Sequence, residues 1–247
     1  MGLAIIIFTV FCLLGVFIFL KTTRVDYNLS KYENDVIDYF KDIALNGEVD
    51  YKTQEVTKWR EPMKLFILKS EDSKLKTESV ERVIDMINKL ASDGFKIELT
   101  EEKSKSNSIL YLFNRDKLEV LDPFFIAGIN EDFAGLSEAR YNLRNKIITN
   151  AKIFVDSDES MDIQESILLE EITQSIGLLN DSEKYPESIF YQHQMESDNV
   201  NIEYSGMDKD IIKLLYHPRM KPGLNSKQVV RVIKKILKNK EIELSKS

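Results

Sequence analysis

Residues 3–20 form an apolar run, Leu3 to Leu20, with no charged side chain. As a helix it would extend about 27 Å, close to the thickness of a bilayer's hydrocarbon core. A cleaved signal peptide needs a basic leader and small residues at the cleavage point. Here no Lys or Arg precedes the run, and Ile18-Phe19-Leu20-Lys21 is not small. Phe11 before Cys12 argues against lipoprotein-type cleavage as well. The expectation is an uncleaved single-pass transmembrane helix within residues 1–24, with the rest of the chain as a folded body. Lys21 and Arg24 on the downstream flank favour a cytoplasmic body by the positive-inside tendency.

Beyond residue 24 the chain holds 32 Lys+Arg against 41 Asp+Glu, a net charge of −9. The last 27 residues carry +6, which leaves −15 on 25–220. A body this acidic excludes general nucleic-acid binding, because phosphate contacts need clustered cations. The chain has 2 His and 1 Cys, the latter inside the apolar run. That excludes a three-His metal site, an intrachain disulfide, a Cys zinc site and a Cys nucleophile in the body. There is no Gly-rich phosphate loop and no nucleophile elbow. No cofactor is expected.

Apolar periodicity predicts four helices at 3–4 spacing and several strands. The helices are 28–45 (Leu29, Tyr32, Val36, Phe40, Ile43), 77–92 (Val80, Val83, Ile84, Ile87, Leu90), 162–179 and 207–216. Strands are expected at 63–68, 95–99, 109–113 and 151–155, while 122–145, with Pro123, Gly128 and Gly135, reads as irregular. A last basic helix covers 225–237, with Val229, Val230, Ile233 and Leu237 on one side. This order argues for one α/β domain. The boundaries read as an anchor at 1–24, a domain at 25–223 and a basic helix or tail at 224–247. That tail is expected to pack on the domain, with anionic lipid headgroups as its other natural contact. His193 and His217 read as surface histidines at loop or helix-end positions.

The helix at 162–179 carries the most information. Leu168, Ile172 and Ile176 define one apolar side. Among Ile163, Ile167 and Leu178 on the other lie Glu170, Glu171 and Gln174. Polar groups set in an apolar stripe suggest a face lining a cleft, and Glu170 and Gln174, i and i+4, point the same way. The frame Glu170-Glu171-x-x-Gln174-x-x-Gly177-x-x-Asn180 resembles the H-E-x-x-H-x-x-G-x-x-H motif of metzincin-type zinc peptidases. The Glu and Gly are present, and the three His positions are replaced. Ser188-Ile189-Phe190-Tyr191 has Phe where the metzincin Met-turn would have Met, and Ala151–Val155 sits where a zincin edge strand would.

The chain resembles more closely an uncharacterised domain-of-unknown-function family of bacterial envelope proteins related to the zincins. The resemblance covers roughly residues 33–223. It rests on Glu171-x-Thr173-Gln174-x-x-Gly177-Leu178-x-Asn180-Asp181, on Ser188-Ile189-Phe190 and on the segment Leu214 to Gly223; Asp35–Tyr51 and Trp59–Leu68 also match. It implies a zincin-like α/β (α+β) domain with a twisted mixed sheet and a degenerate active-site helix. It also implies a body outside the cytoplasm, against the two flanking charges.

Zinc peptidase chemistry depends on the metal lowering the pKa of its bound water to about 7. Glu171, at the general-base position, cannot supply this alone, and Glu170, Gln174 and Asn180 offer only oxygen or amide donors. No metal is expected, and no catalytic residue. Glu170, Gln174, Asn180, Asp181, Phe190 and Tyr191 are the cleft candidates; the plainest reading of Glu170, Gln174 and Asn180 is a structural polar core, hydrogen-bonded to one another and to the Ser188–Tyr191 loop. The expected function is a pseudoenzyme: a non-catalytic, membrane-anchored envelope protein binding a peptide, protein or cell-wall ligand. A peptidase with an unusual metal site and an assembly scaffold are the alternatives; an oxygen-liganded cation at Glu170, Glu171 and Asp181 is a further reading.

Overall fold

The computed structural model describes residues 28–45, 54–129, 133–192 and 200–245. The apolar run read as an anchor, Tyr51 and His193 lie outside them. Among the described residues no helix is long and apolar enough to cross a membrane. The chain divides into Met1–Ser30 and a second compact unit, Lys31–Ser247.

The second unit opens with α1, Lys31–Leu45, which buries Val36, Phe40 and Ile43 along one stripe. There follow β1 (Lys58–Trp59), β2 (Met63–Lys69), α2 (Thr77–Leu90), β3 (Ile97–Leu99), β4 (Ser108–Phe113), α3 (Arg115–Leu121), β5 (Gly135–Tyr141) and β6 (Ile147–Asp156). Then come α4 (Met161–Gln174), α5 (Gly206–Leu215) and α6 (Ser226–Lys238). The fold is mixed α/β with a mostly parallel, six-stranded sheet. β3, β2, β4 and β6 run parallel in that order, joined by crossovers such as α2. β5 is antiparallel to β6. Ile148 pairs with both Tyr141 and Trp59, and Ala151 with both Ala139 and Ser108. A strand residue has one neighbour on each edge, so β1 and β4 share one edge of β6 and β5 holds the other.

β4 is buried along both faces, as a central parallel strand should be. Its Tyr111 and Phe113 join Leu118 of α3, Phe125 and Phe154 in one apolar cluster. The Tyr111 hydroxyl donates to Asp122, which Lys152 of β6 also contacts.

Three sequence expectations change here. The stretch 122–145 is not irregular throughout: it contains β5, and α3 precedes it. β5 is half-buried along most of its length and shows no alternation, so period-2 patterning could not reveal it. Its ladder with β6 holds it in place. Ala151–Val155 therefore belongs to an internal strand, and the edge strand is Gly135–Tyr141. The helix expected to run to Leu179 ends at Gln174.

The basic segment is part of the same compact unit. Val229, Ile233, Ile236 and Leu237 of α6 are buried, and the helix packs on α1. Its entry carries a reciprocal capping box between Asn225 and Gln228. Beyond α6, the Ser245 amide donates to buried Asp210 of α5 at 2.7 Å, and Tyr32 of α1 donates to the same oxygen at 2.8 Å.

Candidate functional site

α4 is buried over most of its circumference, which is why its sequence lacks a clean polar face. Its C-terminal end is locked by Trp59 and Tyr216, with Lys58 set against the Tyr216 ring. Trp59 Nε1 donates to the Ser175 carbonyl at 3.1 Å, and the Tyr216 hydroxyl donates to the Ile176 carbonyl at 2.8 Å. These are carbonyls a helix end leaves without intrahelical partners. The Tyr216 oxygen also accepts the Trp59 amide, and its ring stacks on Phe95 with centroids 4.1 Å apart. Lys58, fully buried, donates to Asp93 at 2.7 Å and to the Leu215 and Met220 carbonyls, with its ammonium 4.4 Å from the Tyr216 ring centroid. Burial lowers the Lys58 pKa to about 8 even though Asp93 opposes the shift. Gly177 follows at φ +114°, and a Cβ there would collide with the Thr57 carbonyl oxygen. The Leu214–Gly223 motif and the Trp59 segment are thus one structural clamp. His217 belongs to it: the residue is buried rather than on the surface, its Nδ1 accepts the Arg219 amide, and burial lowers its pKa.

The other side of α4 faces β5. Gly135 packs directly on the helix, where an added Cβ would press on Ile167 and lie 2.6 Å from Glu171 Oε1. Glu171 is consequently only 7% exposed. Gln174 is half-buried and spans the gap: its Oε1 accepts from Ser137 of β5 at 3.0 Å, and its Nε2 donates to Asp181 at 2.8 Å. The position that meets Gln174 after the turn is therefore Asp181. Asn180 donates instead to the Asp42 carbonyl at the end of α1, at 2.6 Å. Glu170 is half-buried on the same helix.

Phe190 is fully buried, and half-buried Tyr191 makes a short parallel bridge with Ser182. Ser188 anchors this loop. It donates to Asp208 at 2.6 Å, and its oxygen accepts the Phe190 amide at 3.1 Å. With the Ser188 proton committed to Asp208, the Tyr39 hydroxyl, 2.6 Å away, is the donor to Ser188. Asp208 also accepts the Ile189 and Ser205 amides; burial raises its pKa while these bonds oppose the shift. Thr173 donates to the Leu169 carbonyl and meets Tyr204 at 2.6 Å.

Sequence reasoning missed Ser137, because β5 was not foreseen. It also missed Asp208 and Lys58, whose roles depend on burial. The acidic Asp156–Glu159 segment precedes α4, and Gln164 of that helix donates back to the Ser157 and Glu159 carbonyls. Among the described residues no group of three or more His, Cys, Asp or Glu could hold a metal ion, so Glu170, Glu171 and Asp181 do not form the cation site considered above.

The profile of a protein family of unknown function, DUF2927, matches residues 33–235, and the chain belongs to that family. No curated protein matches the chain.

Proposed function

We propose that this chain is a non-catalytic, membrane-anchored envelope protein whose α4–β5 cleft binds an extended peptide, protein segment or wall polymer. In this reading the body is a zincin-like domain, held outside the cytoplasm by the helix at 3–20, and its peptidase frame is degenerate. The observation that carries it is the placement of β5. One edge of the strand is laddered to β6; among the described residues the other has no strand partner, and the face that carries Ser137 meets Gln174, which in turn holds Asp181. An open strand edge offers main-chain hydrogen bonds to any extended chain, with side-chain pockets adding selectivity. An antiparallel edge strand packed beside the helix also suits a zincin cleft. The non-catalytic part rests on Glu171, which is buried behind Gly135 and so poorly placed to activate a water on a bound substrate.

A displayed peptide library panned against the detergent-solubilised full chain tests this. Peptides should be enriched that slow amide exchange over 135–141, and Asp181→Ala should weaken them about tenfold, the usual size of a lost charged hydrogen bond. Enrichment without protection of 135–141, or no enrichment at all, would count against the cleft. A fusion reporter placed after Ser247 that is active only in the cytoplasm would overturn the location.

A further inference from the structure

We propose that the solvent face of α6 is a docking surface for anionic phospholipid headgroups. The argument rests on the reading of residues 3–20 as a membrane anchor. Lys227, Arg231, Lys234, Lys235, Lys238 and, just past the helix, Lys240 are all exposed. None of their side chains pairs with a carboxylate or any other group among the described residues, and no acidic side chain interrupts the helix. Positions 227, 231, 234 or 235, and 238 follow one another at three- and four-residue steps, so they form a stripe about 17 Å long. The opposite stripe is used up in the core, since Val229, Ile233, Ile236 and Leu237 are buried. The cationic face is thus held rigidly by the fold.

The rest of the body makes this surface directional. Residues 25–220 carry −15 and the last 27 carry +6. A negative surface would repel most of this body and attract the α6 face, which sets orientation as well as affinity. Each Lys or Arg near an anionic leaflet contributes about 1 kcal/mol, so six act together where one would not. Ten residues of sequence, 21–30, separate the apolar run from α1, the helix on which α6 packs. A bilayer is therefore the anionic surface nearest in sequence to this helix, which favours lipid over a soluble polyanion.

The test uses the full chain in lipid nanodiscs, either pure phosphatidylcholine or with roughly one-third phosphatidylglycerol. A water-soluble acylating reagent, read out by mass spectrometry, reports on each lysine. On phosphatidylglycerol discs, acylation of Lys234, Lys235 and Lys238 should fall about tenfold, and about 0.5 M salt should restore it by screening. Lys64, exposed on β2, should not change. In the variant Lys234→Glu/Lys235→Glu/Lys238→Glu the protection of Lys227 should vanish with circular dichroism unaltered. Equal acylation on both kinds of disc overturns the proposal. So does protection by a soluble polyphosphate or oligonucleotide with none from phosphatidylglycerol, which would identify a different partner. A chain that enters neither disc refutes the anchor reading; lipid-dependent protection of α6, measured with the same discs added to the soluble chain, then still decides the docking surface.

Discussion

The two sides of α4 are built from different materials. At its C-terminal end Lys58, Trp59 and Tyr216 are buried, every polar atom described above is engaged, and backbone approaches backbone at Gly177. On the β5 side Gly135 also packs closely on the helix, but the polar contacts are made by half-buried side chains, Gln174, Ser137 and Asp181. Gln174, Gly177, Asp181 and Tyr216 all lie in the motif-bearing stretch 170–223, whereas their partners Trp59 and Ser137 lie far upstream. The difference teaches that a strong motif can report a structural joint on one side of a helix and an adaptable surface on the other.

The comparison can be broken most severely at Gly177. Gly177→Ala should destabilise the fold by about 4 kcal/mol or more, since a side chain there needs both an unfavourable backbone conformation and movement of the Thr57 carbonyl. Chemical denaturation measures this, and a loss no larger than at Gln174 would remove the contrast between the two sides.

Lys58→Met should cost about 3–5 kcal/mol, because Asp93 would be left buried without its cation. The wild type should also show a signed pH effect. The Lys58 pKa falls from 10.5 to about 8 in the folded state. Below pH 8 both states hold the proton and the group gives no slope. Above it the unfolded chain binds more protons, so stability from this group rises with pH. Buried Tyr216 acts in the opposite sense, because its pKa is raised above 10.0 and stability is lost as the unfolded phenol ionises. The rise is therefore expected between about pH 8 and 10, and denaturation midpoints across that range should show it in the wild type and not in Lys58→Met.

Asp208→Asn comes next. Both carboxylate oxygens accept from donors, so an amide nitrogen at either place would face another donor. A loss of about 2 kcal/mol is expected, read as a lowered thermal midpoint together with faster exchange of the Ile189 amide.

The smallest stability effect belongs to the cleft. Gln174→Ala should cost about 1 kcal/mol or less, because the half-buried Ser137 and Asp181 can turn to water. The same region permits a gain rather than a loss. Glu170→His/Gln174→His/Asp181→His should bind Zn²⁺ more tightly in calorimetry than the triple variant with histidine at 180, since Asp181 is the residue that reaches Gln174. Equal affinity in the two variants would mean that the turn after Gly177 does not select between the two positions.

The sequence states every helix but α3, and four of the six strands. Local periodicity and capping state these directly, as at Val80, Val83, Ile84 and Ile87 of α2 or the Asn225 cap of α6. It also identified α4, from its mixed stripe and from the Gly177 break. What it could not state was anything that depends on which surfaces meet. β5 exists because β6 offers it a ladder, and its own residues carry no alternation to announce it. Asn180 and Asp181 are adjacent in sequence, yet one caps α1 and the other meets Gln174; the backbone after Gly177 chooses between them. The charge of Lys58 becomes structural only because the fold removes it from water beside Asp93 and two carbonyls. Local pattern is written in neighbouring residues, whereas burial and pairing are decided by contacts between segments far apart in the chain, and only the tertiary structure brings those together.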